Sequence, residues 1–580
     1  METDIHTLQA QLDAAESQGI DPEWIAAEIA VRLMDLYNKS GRSEAAWEIY
    51  ARYDEPLADL EDPGQIRRLG NMLFRGGRLD EALYYYLKAE KSLPRGGDPK
   101  KAAPILNTIG RIYSLKKDWD HALAYYLKAG KRLVGAGETA EIATAYNNIG
   151  RIYDNKGDRD KALAYHLKAR EILVKAGETA GLALTHTNIG LICFQKGDLN
   201  KALAHYGDAV RVRRQTGDDN DLAPLYSDIG LIYSRRGDWD SALSNYLKAE
   251  AILRERGAGA ELAPVYENIG LVYARQQEWD DALASYRSAE KILETTGDPV
   301  RLIPLYKEMG EALLHVGDRE GSVDSYRKAE KWAVETGQRA QLADIYAQIA
   351  HIAALRGDMD LALDRHKDEE TVRAETGDRA GLVATYENMG LVYSRKDDLD
   401  TGLRFYFKAG QILLESGDHT GMAPIYNNIG LNYAKKGEWD KALEYYLKAE
   451  GLAQEMGDQA GLAHIKNNIG LVYDNMGDWG KALGYFRNSE RIRREVGDIR
   501  GLAFTYFNMG TIYRQREDHD KANRYLILAG YIAKTQDMKH ELAEWEWALN
   551  PLMDEMGPER FMEKGKALFN RPRNRAAAPV

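Results

Sequence analysis

Glycine recurs with a period of 40 residues at Gly70, Gly110, Gly150, Gly190, Gly230, Gly270, Gly310, Gly390, Gly430, Gly470 and Gly510, and only Ala350 interrupts the series. No other feature constrains the fold as strongly. Around each position the apolar residues fall every three to four places, in two stretches divided by a short polar turn. YNNIGLNYAKKGEWDKALEYYLKAE, from Tyr426 to Glu450, is one example. This spacing predicts two α-helices per period, A and then B, with the glycine inside helix A. A glycine there costs roughly 1 kcal/mol relative to alanine, so the series costs about 10 kcal/mol in intrinsic propensity. The expected compensation is packing: a small residue lets a neighbouring helix approach closely while Tyr and Leu side chains fill the space around the contact.

Other positions keep the register. Ile, Leu or Met precedes the glycine, as at Ile149 and Ile429. Tyr follows three residues later (Tyr113, Tyr153, Tyr233, Tyr393, Tyr433), and a small residue twelve later (Ala122, Ala162, Ala202, Ala242, Ala442). An aromatic stands sixteen later (Tyr126, Tyr206, Tyr246, Tyr446) and Ala nineteen later (Ala129, Ala169, Ala249, Ala449). Asp158, Asp198, Asp238 and Asp478 are placed to cap helix B, and Gly137, Gly177, Gly217, Gly417 and Gly457 to end it. Neither helix can bury its apolar stripe alone, so the units must stack on one another. The unit around Ala350 departs most, with Ala353 for Tyr, Met359 for Trp, His366 for Tyr and Glu369 for Ala. It is the expected weak joint.

Small-x-x-Tyr on helix A with Ala-x-x-x-Tyr-x-x-Ala on helix B resembles the tetratricopeptide repeat. The 40-residue length resembles the Pins/LGN group of cell-polarity adaptors and bacterial tetratricopeptide proteins with "NNIG" and "GDWDKAL"-like segments. The resemblance implies an all-α chain, an α-solenoid in which tandem helix-turn-helix units form a right-handed superhelix with helix A on the concave face. The expected organisation is N-terminal helices and a degenerate capping repeat over 1–60, twelve units over 61–538, a degenerate C-terminal cap over 539–569 and a disordered basic tail over 570–580. About 28 helices are expected, two for each unit and two at each end. The G-protein-binding motifs that follow the repeats in the Pins/LGN group are not read in this chain.

Composition narrows the function. The formal net charge of -12 argues against general binding to nucleic acid or an anionic membrane. One cysteine, an acidic polar N-terminus and no stretch near the roughly 20 apolar residues of a membrane span point to a soluble cytoplasmic protein. No catalytic constellation is read. Cys193 occupies a tyrosine position and reads as a buried small residue. The twelve histidines are scattered, with no His-x-x-x-His pair on one helix. Asp154 to Asp160 reads as an inter-helix turn rather than a calcium loop. The chain is therefore expected to be no enzyme and to carry neither cofactor nor metal.

What remains is surface. By the resemblance, the residues six, three and two before each glycine and one, four and five after it line the groove. Basic residues outnumber acidic ones there by eleven to eight, against the sign of the whole chain. The exposed-cation candidates are Arg111, Arg151, Arg235, Arg275, Arg395 and Lys435. An asparagine ladder runs beside them: Asn148, Asn188, Asn268, Asn388, Asn428, Asn468 and Asn508. An amide both donates and accepts, so a row of them can grip a peptide backbone, or can bond helix to helix. Leu191, Leu231, Leu271, Leu391, Leu431 and Leu471 form a row that is either an apolar floor or buried between A helices. A chaperone-tail clamp needs Lys six before the glycine, where Pro104, Pro224, Pro264, Pro304 and Pro424 stand, and is not expected. The expected function is a scaffold or adaptor whose groove binds an acidic, partly apolar protein or peptide. A second reading is a regulatory sensor whose superhelix changes on binding a small peptide or signalling protein.

Overall fold

The computed structural model describes residues 2–93, 98–134, 139–217 and 219–570. Gly137, expected to end a B helix, and the tail from 571 onward lie outside the described residues. The chain groups into two compact units, Met1–Ile292 and Leu293–Val580. Among the described residues there is no strand, and the helices come as tandem antiparallel pairs, each stacked on the next within its unit.

In the first unit, Glu2–Ser17, a helix running from Pro22 to Lys39 through a π-turn at Ala26–Ala30, Ser43–Arg52 and Asp54–Ala58 precede the regular pairs. The pairs begin at Pro63–Arg75 with Leu79–Lys91, and include Thr139–Asn155 with Arg159–Ala176 and Leu182–Gln195 with Leu199–Thr216. The second unit continues in the same way, for example Arg339–Leu355 with Met359–Thr376 and Met422–Lys435 with Trp439–Met456. Three further helices, Lys539–Glu544, Glu546–Met556 and Pro558–Phe569, follow the last pair. The ends thus carry more helical segments than the two apiece expected, because the N-terminal stretch bends at Tyr53 and the C-terminal one at Trp545 and Gly557.

The local signals act as their chemistry requires. The carboxylates of Asp158, Asp198, Asp238 and Asp478 each accept from a backbone N–H three residues on, satisfying a donor that the B helix leaves free. Gly177 and Gly457 end their B helices with φ of 67° and 71°, a left-handed conformation that a Cβ would strain.

The periodic glycine is explained by one contact. The side chain sixteen residues later, on the B helix of the same pair, packs against it, a ring in every case but Leu526 at Gly510. A Cβ on Gly430 would stand 2.8 Å from the Tyr446 ring, and one on Gly150 2.6 Å from that of His166. These distances are far inside van der Waals contact, so the close approach is between A and B of one pair. Ala122, Ala129, Ala442 and Ala449 are wholly buried beside these contacts. The Tyr three after the glycine stacks on a ring fifteen after it: Tyr153 on Tyr165 at 5.6 Å and Tyr433 on Tyr445 at 5.6 Å. Outside the core, Lys156 reaches Asp120 at 2.6 Å and Lys436 reaches Asp400 at 2.6 Å, each joining one pair to the one before it. Such exposed bridges each contribute ~0–1 kcal/mol.

Candidate interaction surface on the A helices

Residues two before, one after and five after the glycine are three and four places apart, so they share one face of helix A. The structure leaves that face open. Arg111, Arg151, Arg235, Arg275, Arg395 and Lys435 are all exposed. Two of these cations are held by rings of the preceding A helix: Arg235 lies 4.2 Å over Phe194 and Arg111 5.2 Å over Phe74. Lys435 donates to the Ser394 carbonyl at 3.4 Å. The stacking orients each guanidinium while leaving its edge toward solvent.

The leucine row is not packed away between helices. Leu191, Leu231, Leu391 and Leu431 are exposed, and Leu271 and Leu471 are half-buried. The asparagine ladder divides. Asn468 donates to the Asn427 oxygen at 3.0 Å and Asn508 to the Asn467 oxygen at 3.4 Å, so these two amides bond successive A helices. Asn388 is exposed, and Asn148, Asn188, Asn268 and Asn428 are half-buried. The Asn188 amide nitrogen is itself buried and has no hydrogen-bond partner. Three before the glycine, Asn147 is turned into the structure: it donates to Thr185 at 2.7 Å and meets His166 Nδ1 at 2.9 Å.

In the first unit this face deepens into a recess of about 510 Å³ between the helices Pro99–Leu115 and Thr139–Asn155. Asn107, Thr108, Arg111, Asn148, Arg151 and Asn155 line it, with Trp119 and Tyr126 behind. The Asn107 side-chain oxygen is buried there without a partner. Two cations and several amides thus converge on a space large enough for a carboxylate-bearing side chain.

Burial alters the acidic members of the same face. It pushes the Asp228 carboxyl up to about 6, against a hydrogen bond from Tyr206 that lowers it. Burial also raises Glu387 and Asp474. These carboxyls lose charge first on acidification, and the face becomes more cationic as they do. Cys193 is buried, and burial raises its thiol, which suits a packing residue rather than a nucleophile. No helix among the described residues is long and apolar enough to cross a membrane.

The profile described as "Tetratricopeptide repeat" matches residues 141–215, 221–295, 381–455 and 461–529, slightly more than half of the chain. The chain belongs to the tetratricopeptide repeat family. No curated protein matches it. Among solved structures it is similar to BtubC from P. vanneervenii, at 22% identity over 43% of this chain and 92% of that one, with a TM-score of 0.32. It is also similar to the apo form of RapI, at 15% identity over 62% and 99%, with a TM-score of 0.46. A third is a signal transduction ATPase with numerous domains and a tetratricopeptide repeat sensor from Pyrococcus horikoshii, at 15% identity over 63% and 55%, with a TM-score of 0.46. At these scores the likeness says nothing about a partner. As a tetratricopeptide repeat protein the chain falls in a class associated with protein–protein interaction.

Proposed function

We propose that this protein is a non-enzymatic scaffold that binds an acidic, partly apolar segment of a partner protein on the A-helix face of its repeats. One observation carries the reading: exposed cations, exposed leucines and amides recur on one face in several repeats of both compact units, although the whole chain carries a charge of -12. A segment with alternating carboxylates and apolar side chains, extended or helical, complements that face. The overall negative charge argues against nucleic acid and membrane as partners. The helices before Pro63 and after Thr535 are proposed to act as caps, shielding the last apolar stripes from water. The cytoplasm is the proposed location, consistent with a single buried thiol.

The test is affinity capture from the native host, comparing the wild-type chain with groove variants. Arg235→Glu with Arg275→Glu addresses the first unit, and Arg395→Glu with Lys435→Glu the second. A specific partner should lose at least about tenfold in affinity at low salt to one of these pairs, with a smaller loss at high salt, where charges are screened. Asn428→Ala should weaken the same partner at any salt. Asn468→Ala is a poor probe, because its amide already bonds Asn427. A partner held equally by all variants would move the site off this face.

A further inference from the structure

The expectation that the scattered histidines form no metal site rested on the lack of two histidines on one helix. The fold joins two helices instead. His186 stands on Leu182–Gln195, and His205 and Asp208 stand three apart on Leu199–Thr216, so that both face His186. The Nδ1 atoms of His186 and His205 are 3.0 Å apart, and Asp208 Oδ2 is 3.6 Å from His186 Nδ1. One ligand atom from each residue lies within 4.8 Å of the other two. A tetrahedral zinc ion with bonds of about 2.0–2.1 Å sets its ligand atoms about 3.3 Å apart. His186 is only 7% exposed, while His205 and Asp208 are half-buried, so the cluster is walled on one side and open on the other.

An internal comparison supplies the second argument. In the Gly150, Gly390 and Gly430 repeats the three equivalent positions hold two aromatic rings and a lysine. In the Gly150 repeat Tyr146 meets Tyr165 at 5.8 Å and Lys168 lies 5.0 Å over Tyr165. In the Gly430 repeat Tyr426 meets Tyr445 at 5.8 Å and Lys448 lies 4.7 Å over Tyr445. In the Gly190 repeat all three differ from that set and are His186, His205 and Asp208. No other repeat places two imidazoles and a carboxylate at these three positions.

We propose that His186, His205 and Asp208 bind one divalent transition-metal ion, zinc foremost, through three protein ligands and one open position. Two imidazoles and a carboxylate suit zinc and its borderline neighbours, whereas calcium and magnesium require oxygen ligands. Without metal, one imidazole donates its Nδ1 proton to the other. On binding, that proton moves to Nε2 of the same ring, both Nδ1 lone pairs face the ion, and no net proton is released. Arg211 holds the second Asp208 oxygen, and the charge of Arg170 also reaches both imidazoles. These cations oppose a bound dication, and the site is expected to bind more weakly than one free of them.

The experiment uses untagged full-length protein stripped with chelator and titrated with Co²⁺ alone and Zn²⁺ alone. One equivalent of Co²⁺ should develop visible bands of a four-coordinate ion, Zn²⁺ should displace it, and Zn²⁺ should raise the Tm. The triple variant H186Y/H205Y/D208K rebuilds the cluster of the Gly150 and Gly430 repeats and should bind at least 100-fold more weakly, with unchanged helicity. His205→Gln, at a half-buried position, provides a milder variant and should lose at least tenfold. Absence of binding to the wild-type chain would overturn the proposal and leave a hydrogen-bonded cluster only. One equivalent bound unchanged by both variants would overturn it as well.

Discussion

In the Gly430 repeat, Tyr446 lies against Gly430 and Ala449 is wholly buried beside it; in the Ala350 repeat, the same two positions hold His366 and Glu369. Both replacements remain buried, at 3% and 1% exposure. The pair survives because a network supplies what apolar contact no longer does. The Glu369 carboxylate accepts from Thr385 Oγ1 at 2.9 Å and from Arg373 Nε at 2.8 Å, and meets His366 Nδ1 at 2.9 Å. Arg373 also bonds Asp378 and reaches Asp344 at 3.3 Å. One slot in the repeat thus tolerates either a methyl group or a fully paired carboxylate. The difference lies in what each leaves behind when one member is lost: a small cavity in the first, an uncompensated buried charge in the second.

The largest expected effect comes from breaking the network. Arg373→Leu should destabilise the second unit by about 3–5 kcal/mol, because it strands Glu369. Urea denaturation reads this directly, and a loss under about 1 kcal/mol would mean that Thr385 and His366 suffice to hold Glu369. Combining H366Y, E369A and R373L, the residue types of the regular repeats, should recover the loss and add up to about 1–4 kcal/mol.

The Gly150 repeat sharpens the comparison, since His166 replaces the same Tyr without a charged partner: its Nδ1 meets the Asn147 oxygen at 2.9 Å. Burial, and then the charge of Arg151, hold His166 down to about 4 from an ordinary 6.5. Between those values the unfolded chain binds the extra proton. The stability involved is therefore complete above about pH 6.5 and is lost as pH falls through 4, amounting to about 3 kcal/mol. Stability measured from pH 7 to pH 4 should fall less steeply in H166Y by about that amount. Parallel curves would show that the ring finds water in the folded state.

Smaller effects follow from the small residue itself. Gly430→Ala forces a Cβ to within 2.8 Å of the Tyr446 ring and should cost about 1–3 kcal/mol from overpacking, partly offset by ~1 kcal/mol of helix propensity. Ala350→Gly, which removes a Cβ that the structure already accommodates, should cost about 1 kcal/mol of helix propensity. Stabilisation by Gly430→Ala, the sign that helix propensity alone gives, would remove the ring as the reason for the glycine. The smallest effect is local: amides of 340–380 are expected to exchange hydrogen faster than those of the Gly430 repeat, by severalfold, because a buried ionic network contributes less than packed alanine and tyrosine. Equal protection factors would show that the network is as stabilising as the apolar core.

Much of the fold was legible because it is local and repeated. The 3.6-residue period, the aspartate caps and the positive-φ glycines each act within one or two turns of helix, and the 40-residue register marks which units must stack. Which face of helix A is open came from the family resemblance, and the choice between floor and burial for the leucine row came only with the structure, where Arg235 and Leu391 are exposed and Asn428 is half-buried. The partners of the side chains on that face could not be read from the sequence. Whether Asn468 reaches a ligand or Asn427 depends on how far one A helix stands from the next, which no spacing along the chain reports.

The sequence by itself determined the family, the helical pairs, their caps and turns, and the need for a small residue at every fortieth position. The tertiary structure decided which surfaces meet: that the glycine receives a ring from its own B helix, that Glu369 is paired by Arg373 and hydrogen-bonded by Thr385, and that His186 comes within 3.0 Å of His205 across two helices. The division has one physical cause. Helix periodicity fixes the direction of a side chain relative to its own axis, whereas a contact between helices depends on the separation and crossing of two axes, set by the summed packing of all residues between them.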